Sequence, residues 1–163
     1  GVMESIDHPG AACARDRRTI ASLVTGDPCQ SIIVMGDLND DPMNKSCAEV
    51  LKAMPNVKDV QTVNDIYNPF WEKLAKGIGT LAYRGSWNLF DQIVMNGYFL
   101  KHYSGKDKPQ LTFVRADVLN KEFLRTTDGD RQGYPLRTYS GGVFLNGYSD
   151  HFPTQIYLVK EAK

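Results

Sequence analysis

The run "SIIVM", Ser31–Met35, is the feature that most limits what this chain can become. It is short, continuously apolar and rich in β-branched side chains, the pattern of a strand buried on both faces. Such a strand needs a covering layer on each side, and the neighbouring segments read as suppliers of those layers. Residues Cys13–Val24 carry Ile20, Leu23 and Val24 at helical spacing, with Arg15, Arg17 and Arg18 on other faces. Gly26 and Pro28 stop that helix. Met43–Met54 places Cys47, Val50, Leu51 and Met54 on one helical stripe, which Pro55 closes. "NPFWEKLAKG" predicts a further short helix, with Asn68 as cap, Pro69 in the first turn and Gly77 at the end.

The second half of the chain is more extended. "TLAYRG" and "WNLFDQIVMN" are two extended segments split at Gly85-Ser86, the pattern of a hairpin. "QLTFVRA" is another strand, a polar, Gly-rich stretch covers Thr126–Gly147, and "TQIYLVK" alternates as the last strand. With 42% hydrophobic and 23% charged residues among 163, the chain has the composition of a folded domain. The predicted class is α/β, in layers, without internal repeats or a linker that would mark a second domain.

Charge accumulates where the buried strand ends. "GDLNDDP" holds Asp37, Asn39, Asp40 and Asp41 within five positions. Asp37-x-Asn39-x-Asp41 matches the opening ligands of a calcium-binding EF-hand loop, but the sixth position needs Gly and the twelfth Glu. Here those positions are Pro42 and Ala48, which excludes the EF-hand. A purely structural alternative is that Asp37 and Asn39 cap a turn. Two further clusters weigh against that alternative: "GYSDHFP" places Asp150 and His151 just before the last strand, and Asp91 opens the apolar run "DQIVM". Imidazole titrates near neutral pH and a carboxylate can fix its tautomer, so His with Asp is an acid–base pair. In layered α/β folds, strand ends of this kind converge on a crevice.

Bulk properties narrow the function classes. Nineteen basic and nineteen acidic residues cancel, so the basic excess of a non-specific nucleic-acid binder is missing. Cys13, Cys29 and Cys47 form neither a zinc spacing nor a paired disulfide framework. No apolar run reaches transmembrane length. Compartment is not indicated.

"GDLND", "WNLFDQIVM" and "YSDHFP", in that order, resemble the C-terminal motifs of the endonuclease/exonuclease/phosphatase superfamily, the deoxyribonuclease I-like fold. "YPLRTYSGG" resembles a bacterial branch of the same superfamily. The resemblance runs from about Ile32 to Val159 and implies a layered α/β sandwich and a metal-dependent phosphoesterase. By that resemblance His151 is the general base or phosphate-stabilising imidazole, oriented by Asp91. Asp37 positions or deprotonates the attacking water, Asn39 holds a phosphoryl oxygen, and Asp150 helps bind Mg²⁺ (or Mn²⁺ or Ca²⁺). Arg137, in the "YPLRTYSGG" stretch, is the candidate for binding substrate phosphate.

The family also carries an early Asn, then a Glu that ligates the metal, and a His shortly before the Gly-Asp-x-Asn strand. Nothing before Ile32 has room for the first two, and His8 in "DHPG" matches the third poorly. Residues 1–163 are therefore expected to be the C-terminal part of a single domain: one sheet with flanking helices, inactive or very weak alone. The exposed sheet face of such a half would tend to pair as a homodimer. The full protein is expected to act on a phosphoester, with a nuclease of the same superfamily or a non-catalytic binding module as alternatives. Tyr83 and Trp87 flank the hairpin turn, where aromatic residues are more often core than pocket. Arg115 and the Lys101, Lys106 and Lys108 patch read as solvated charge. Ser149 lacks the G-x-S-x-G elbow of a serine hydrolase.

Overall fold

The computed structural model describes residues 9–26, 30–100 and 111–160. Its first half runs α1 (Pro9–Gly26), β1 (Ile33–Asp37), a π-helical turn (Ser46–Val50), β2 (Ala53–Met54), β3 (Ile66–Tyr67) and α2 (Trp71–Ala75). The second half is strand-rich: β4 (Leu81–Tyr83), β5 (Ser86–Asn88), β6 (Asp91–Asn96), β7 (Thr112–Val118), β8 (Tyr139–Ser140), β9 (Val143–Phe144) and β10 (Thr154–Val159).

Two apolar strands make the centre. β1 and β6 pair antiparallel, with Ile33 opposite Met95 and Asp37 opposite Asp91, inside a four-stranded sheet of order β1-β6-β3-β2. Side chains alternate between faces along each strand. Val34 and Val94, with Ile32 and Ile66, meet Ile20 of α1 and Cys47 and Leu51 around the π-helical turn. Ile33 and Ile93 face the other way, onto Phe70, Leu89 and the Phe113, Ala116 and Ile156 side chains of the β7–β10 ladder. Full burial of a side chain of this size contributes about 1.5–3 kcal/mol. The expected two-sided burial of the strand is thus met, but only over its first half. Met35 is 69% exposed, and β1 opens toward its Gly36–Asp37 end.

The helix-facing side of β6 carries two amides, Gln92 and Asn96, each 1% exposed. Both are satisfied, as buried polar groups must be. Asn96 Oδ1 accepts the Ile32 N–H at 3.0 Å and its Nδ2 donates to the Gln30 carbonyl at 2.9 Å. Gln92 Nε2 donates to the Asp40 carbonyl at 2.7 Å, while its Oε1 accepts from Asn68 Nδ2 at 2.6 Å. On the outer side, Tyr67 meets Phe113 edge-on at 5.5 Å, and burial, with Glu72 nearby, pushes its phenol pKa up.

Four sequence expectations change. Met43–Met54 is not one helix: only Ser46–Val50 turns helically, and Ala53–Met54 pairs in parallel with Ile66–Tyr67. Strand pairing with a partner a dozen residues away overrides the local helical stripe. The helix expected at Asn68–Gly77 is confined to Trp71–Ala75, because the Asn68 side chain is buried against Gln92 and accepts the Phe70 N–H at 3.0 Å. "WNLFDQIVMN" breaks at Leu89-Phe90, so β5 pairs with β4 while β6 joins the central sheet. Finally, the strands do not form one sheet: β7 and β10 make a separate two-stranded ladder that covers the Ile93 face.

Two hairpins frame the site. β4 and β5 are joined by Arg84 and Gly85, both at positive φ (49° and 86°), the geometry of a type I′ turn. β8 and β9, inside the polar, Gly-rich stretch, are joined by Gly141 and Gly142 in the same way. Gly147 then lets the chain pass against the Leu136 carbonyl, where any Cβ would collide.

Candidate active site

Asp37 is the last residue of β1 and Asp91 the first of β6, and the ladder sets them directly opposite each other. Like charges in that relation destabilise a sheet. The pair therefore needs a reason other than folding. His151 supplies part of one: its Nδ1 lies 2.7 Å from Asp91 Oδ2. An ionised carboxylate only accepts hydrogen bonds, so Nδ1 donates, and in a neutral imidazole Nε2 then keeps its lone pair. Ligand atoms of Asp37, Asp91 and His151 lie within 4.8 Å of one another.

The His151 backbone is fixed from several directions. Its N–H donates to Ser149 Oγ at 3.1 Å, which gives that serine a turn-forming role. The neighbouring Phe152 is 1% exposed, stacks on Trp87 at 5.9 Å, and donates its N–H to the Thr80 carbonyl at 2.7 Å. Leu119 N–H reaches the Pro153 carbonyl at 2.7 Å. Trp87 is thus a packing residue, and Tyr134 closes its other side at 5.6 Å.

The other predicted residues are distributed around this centre. Asn39 sits at φ 51°, and its N–H donates to Asp37 Oδ1 at 2.8 Å. The pair thus caps the turn, the structural alternative of the sequence. Asp150 lies outside the group of three. It is 54% exposed on its side chain, and its Oδ2 is 3.8 Å from Arg137. Both Asp150 and Arg137 line a cleft of about 500 Å³.

The next two acids behave differently. Asp41 accepts from Asn88 Nδ2 and from the Leu89 N–H, both at 2.7 Å. Asp40 accepts from Ser46 Oγ at 2.6 Å and from Asn44. They clamp the turn and the β5–β6 junction rather than face the crevice. Arg115 is likewise occupied, 3.4 Å from Asp117 and over the Tyr157 ring at 4.1 Å. His8, Cys29 and the lysines at 101, 106 and 108 lie outside the described residues.

The donor set suits a hard divalent cation. Mg²⁺ needs one or two carboxylates and keeps several waters, and Asp37 and Asp91 offer that minimum beside the exposed Asp150. Two adjacent carboxylates would also repel a phosphate unless a cation lay between.

Sequence reading missed the rest of the cleft wall: Arg84, Arg131 and Tyr134, with Tyr83 now placed there too. "YRGS" held the signal for Tyr83 and Arg84, since it marks the two-residue hairpin turn that places them at the rim.

None of the curated proteins matches the chain. Among solved structures, it is similar to the Bacteroides thetaiotaomicron VPI-5482 mannosyl-6-phosphatase Bt3783, with 16% identity and a TM-score of 0.49. That alignment covers 96% of this chain and 47% of the other, so the chain spans about half that protein's length. No helix among the described residues is long and apolar enough to cross a membrane. The sequence model of the Endonuclease/Exonuclease/phosphatase family matches residues 2–160, and the chain belongs to that family.

Proposed function

We propose that the crevice at the β1–β6 end serves phosphoester hydrolysis. One observation carries this reading: Asp37, Asp91 and His151, from three distant segments, converge within 4.8 Å with an Nδ1–Oδ2 contact of 2.7 Å. In the proposed reaction a water oxygen attacks phosphorus, its proton passes to His151 Nε2, and the bond to the leaving oxygen breaks, that oxygen taking up a proton from solvent to leave as the alcohol. Asp91 holds the imidazole in the tautomer that leaves Nε2 basic. Asp37 positions the water, the Asn39 amide donates to a phosphoryl oxygen, and Arg137 meets substrate charge from the cleft side. Asp37 and Asp91, with the exposed Asp150 next to His151 in the chain, would hold Mg²⁺, Mn²⁺ or Ca²⁺, which when bound neutralises charge developing on the phosphoryl oxygens.

The test is hydrolysis of 4-nitrophenyl phosphate and bis(4-nitrophenyl) phosphate with Mg²⁺, using the 163-residue chain and the longest form of the protein that contains it. The chain alone is expected to turn over little or nothing. The longer form is expected to be active, to lose activity in EDTA, and to regain it when Mg²⁺ is restored. Activity that survives both EDTA and His151→Ala would sink the reading. Preference for double-stranded DNA over both small esters would move it to a nuclease.

A further inference from the structure

The cleft beside the proposed catalytic group holds guanidinium groups that the proposed hydrolysis does not use. Three guanidinium groups line it, those of Arg84, Arg131 and Arg137. Arg137 is engaged with Asp150 at 3.8 Å. Arg84 and Arg131 pair with no carboxylate among the described residues: Arg84 lies 5.1 Å from the Tyr83 ring centroid, and Arg131 donates to Ser140 Oγ at 3.2 Å. Asp130 also lines the wall, so the five charged side chains leave an excess of one positive charge.

Folding alone does not account for Arg84. It occupies the first position of a type I′ turn at φ 49°, where Asn, Asp or Gly is favoured and a long side chain is strained. A residue held in a sparsely populated conformation at the rim of a cleft points to a use for its side chain. The cleft is also continuous with the catalytic segment. Asp150 lines it next to His151, and Tyr134 in its wall packs on Trp87, which stacks on Phe152. Its volume of about 500 Å³ suits one small molecule. Arg forks match phosphate and carboxylate, and the flat faces of Tyr83 and Tyr134 suit a ring between two anions.

We propose that this cleft receives a second anionic group of the substrate, a phosphate or carboxylate carried on the leaving alcohol and gripped by Arg84 and Arg131. The assignment rests on the phosphoesterase reading for the first phosphate, but its test reads binding, so the two can fail separately. The probes are glucose 1-phosphate, glucuronic acid 1-phosphate and glucose 1,6-bisphosphate, which differ only in the group at C6. They are titrated calorimetrically with Mg²⁺ into the His151→Gln chain, which prevents turnover. The bisphosphate, the uronic acid or both should bind about thirtyfold tighter than glucose 1-phosphate. Whichever does names the second anion as phosphate or carboxylate. In an added Arg84→Gln/Arg131→Gln pair that preference should shrink to about twofold. Both arginines are exposed, so the variants should fold, and Lys76→Ala just after α2 should leave the preference intact. Equal binding of all three sugars, no binding of any, or a preference that survives loss of both arginines overturns the proposal. A preference without hydrolysis in the longer protein would leave it standing and strike the phosphoesterase reading alone.

Discussion

Two pairs of aspartates sit within five residues of sequence or one ladder rung of each other, yet they are built for opposite ends. Asp40 and Asp41 are saturated: main-chain and side-chain donors from Ser46, Asn44, Asn88 and Leu89 satisfy their carboxylates. Asp37 and Asp91 face each other across the sheet, and the partners beyond the Asn39 N–H are a histidine and the open crevice. The first pair is held by the donors of the fold, whereas the second, which we propose to act, faces its own kind. Composition cannot separate the two pairs, but partner geometry can.

The comparison can be broken most severely at His151. In any form of the protein that turns over substrate, His151→Ala should lower kcat by about a thousandfold, roughly 4 kcal/mol of barrier, with little change in unfolding midpoint. Asp91→Asn should lower kcat by about a hundredfold. Because it relieves like-charge pairing with Asp37, its thermal midpoint should stay level or rise. A fall in stability as large as that in rate would show Asp91 to be a structural acid like its neighbours. Asp41→Ala should show the reverse signature. It strands the Leu89 N–H and the Asn88 amide, so urea unfolding should record a loss of about 1–3 kcal/mol while kcat changes little. The smallest effect is expected for Arg137→Ala, a rise in KM equivalent to about 1 kcal/mol without a matching loss of kcat.

Much of the layered α/β sandwich of the deoxyribonuclease I-like type was legible in the sequence. The β1 run, the first helix, the β4–β5 hairpin and the last strand each combine a clear period with glycine or proline punctuation. The Met43–Met54 stripe misled because a strand pairing invisible in its own residues decided its fate. Asp37, Asp91 and His151 stood out in the sequence as polar residues at strand ends, with turn capping as the alternative for Asp37. Arg84 and Arg131 did not, since an exposed arginine in a turn looks like any other until the fold brings them to one cleft with Arg137.

The β1–β6 register has a wider implication. Asp37 and Asp91 share a face only because Ile33 and Ile93 share it, while Val34 and Val94 occupy the other. The apolar alternation thus works as a ruler, and the Gln92 and Asn96 amides act as its stops, since a one-residue slip would strand them in the core. An insertion of a single residue between Ile33 and Gly36 would send the first aspartate toward the helices. The spacing of the proposed site would then be lost with each of its residues still in the chain.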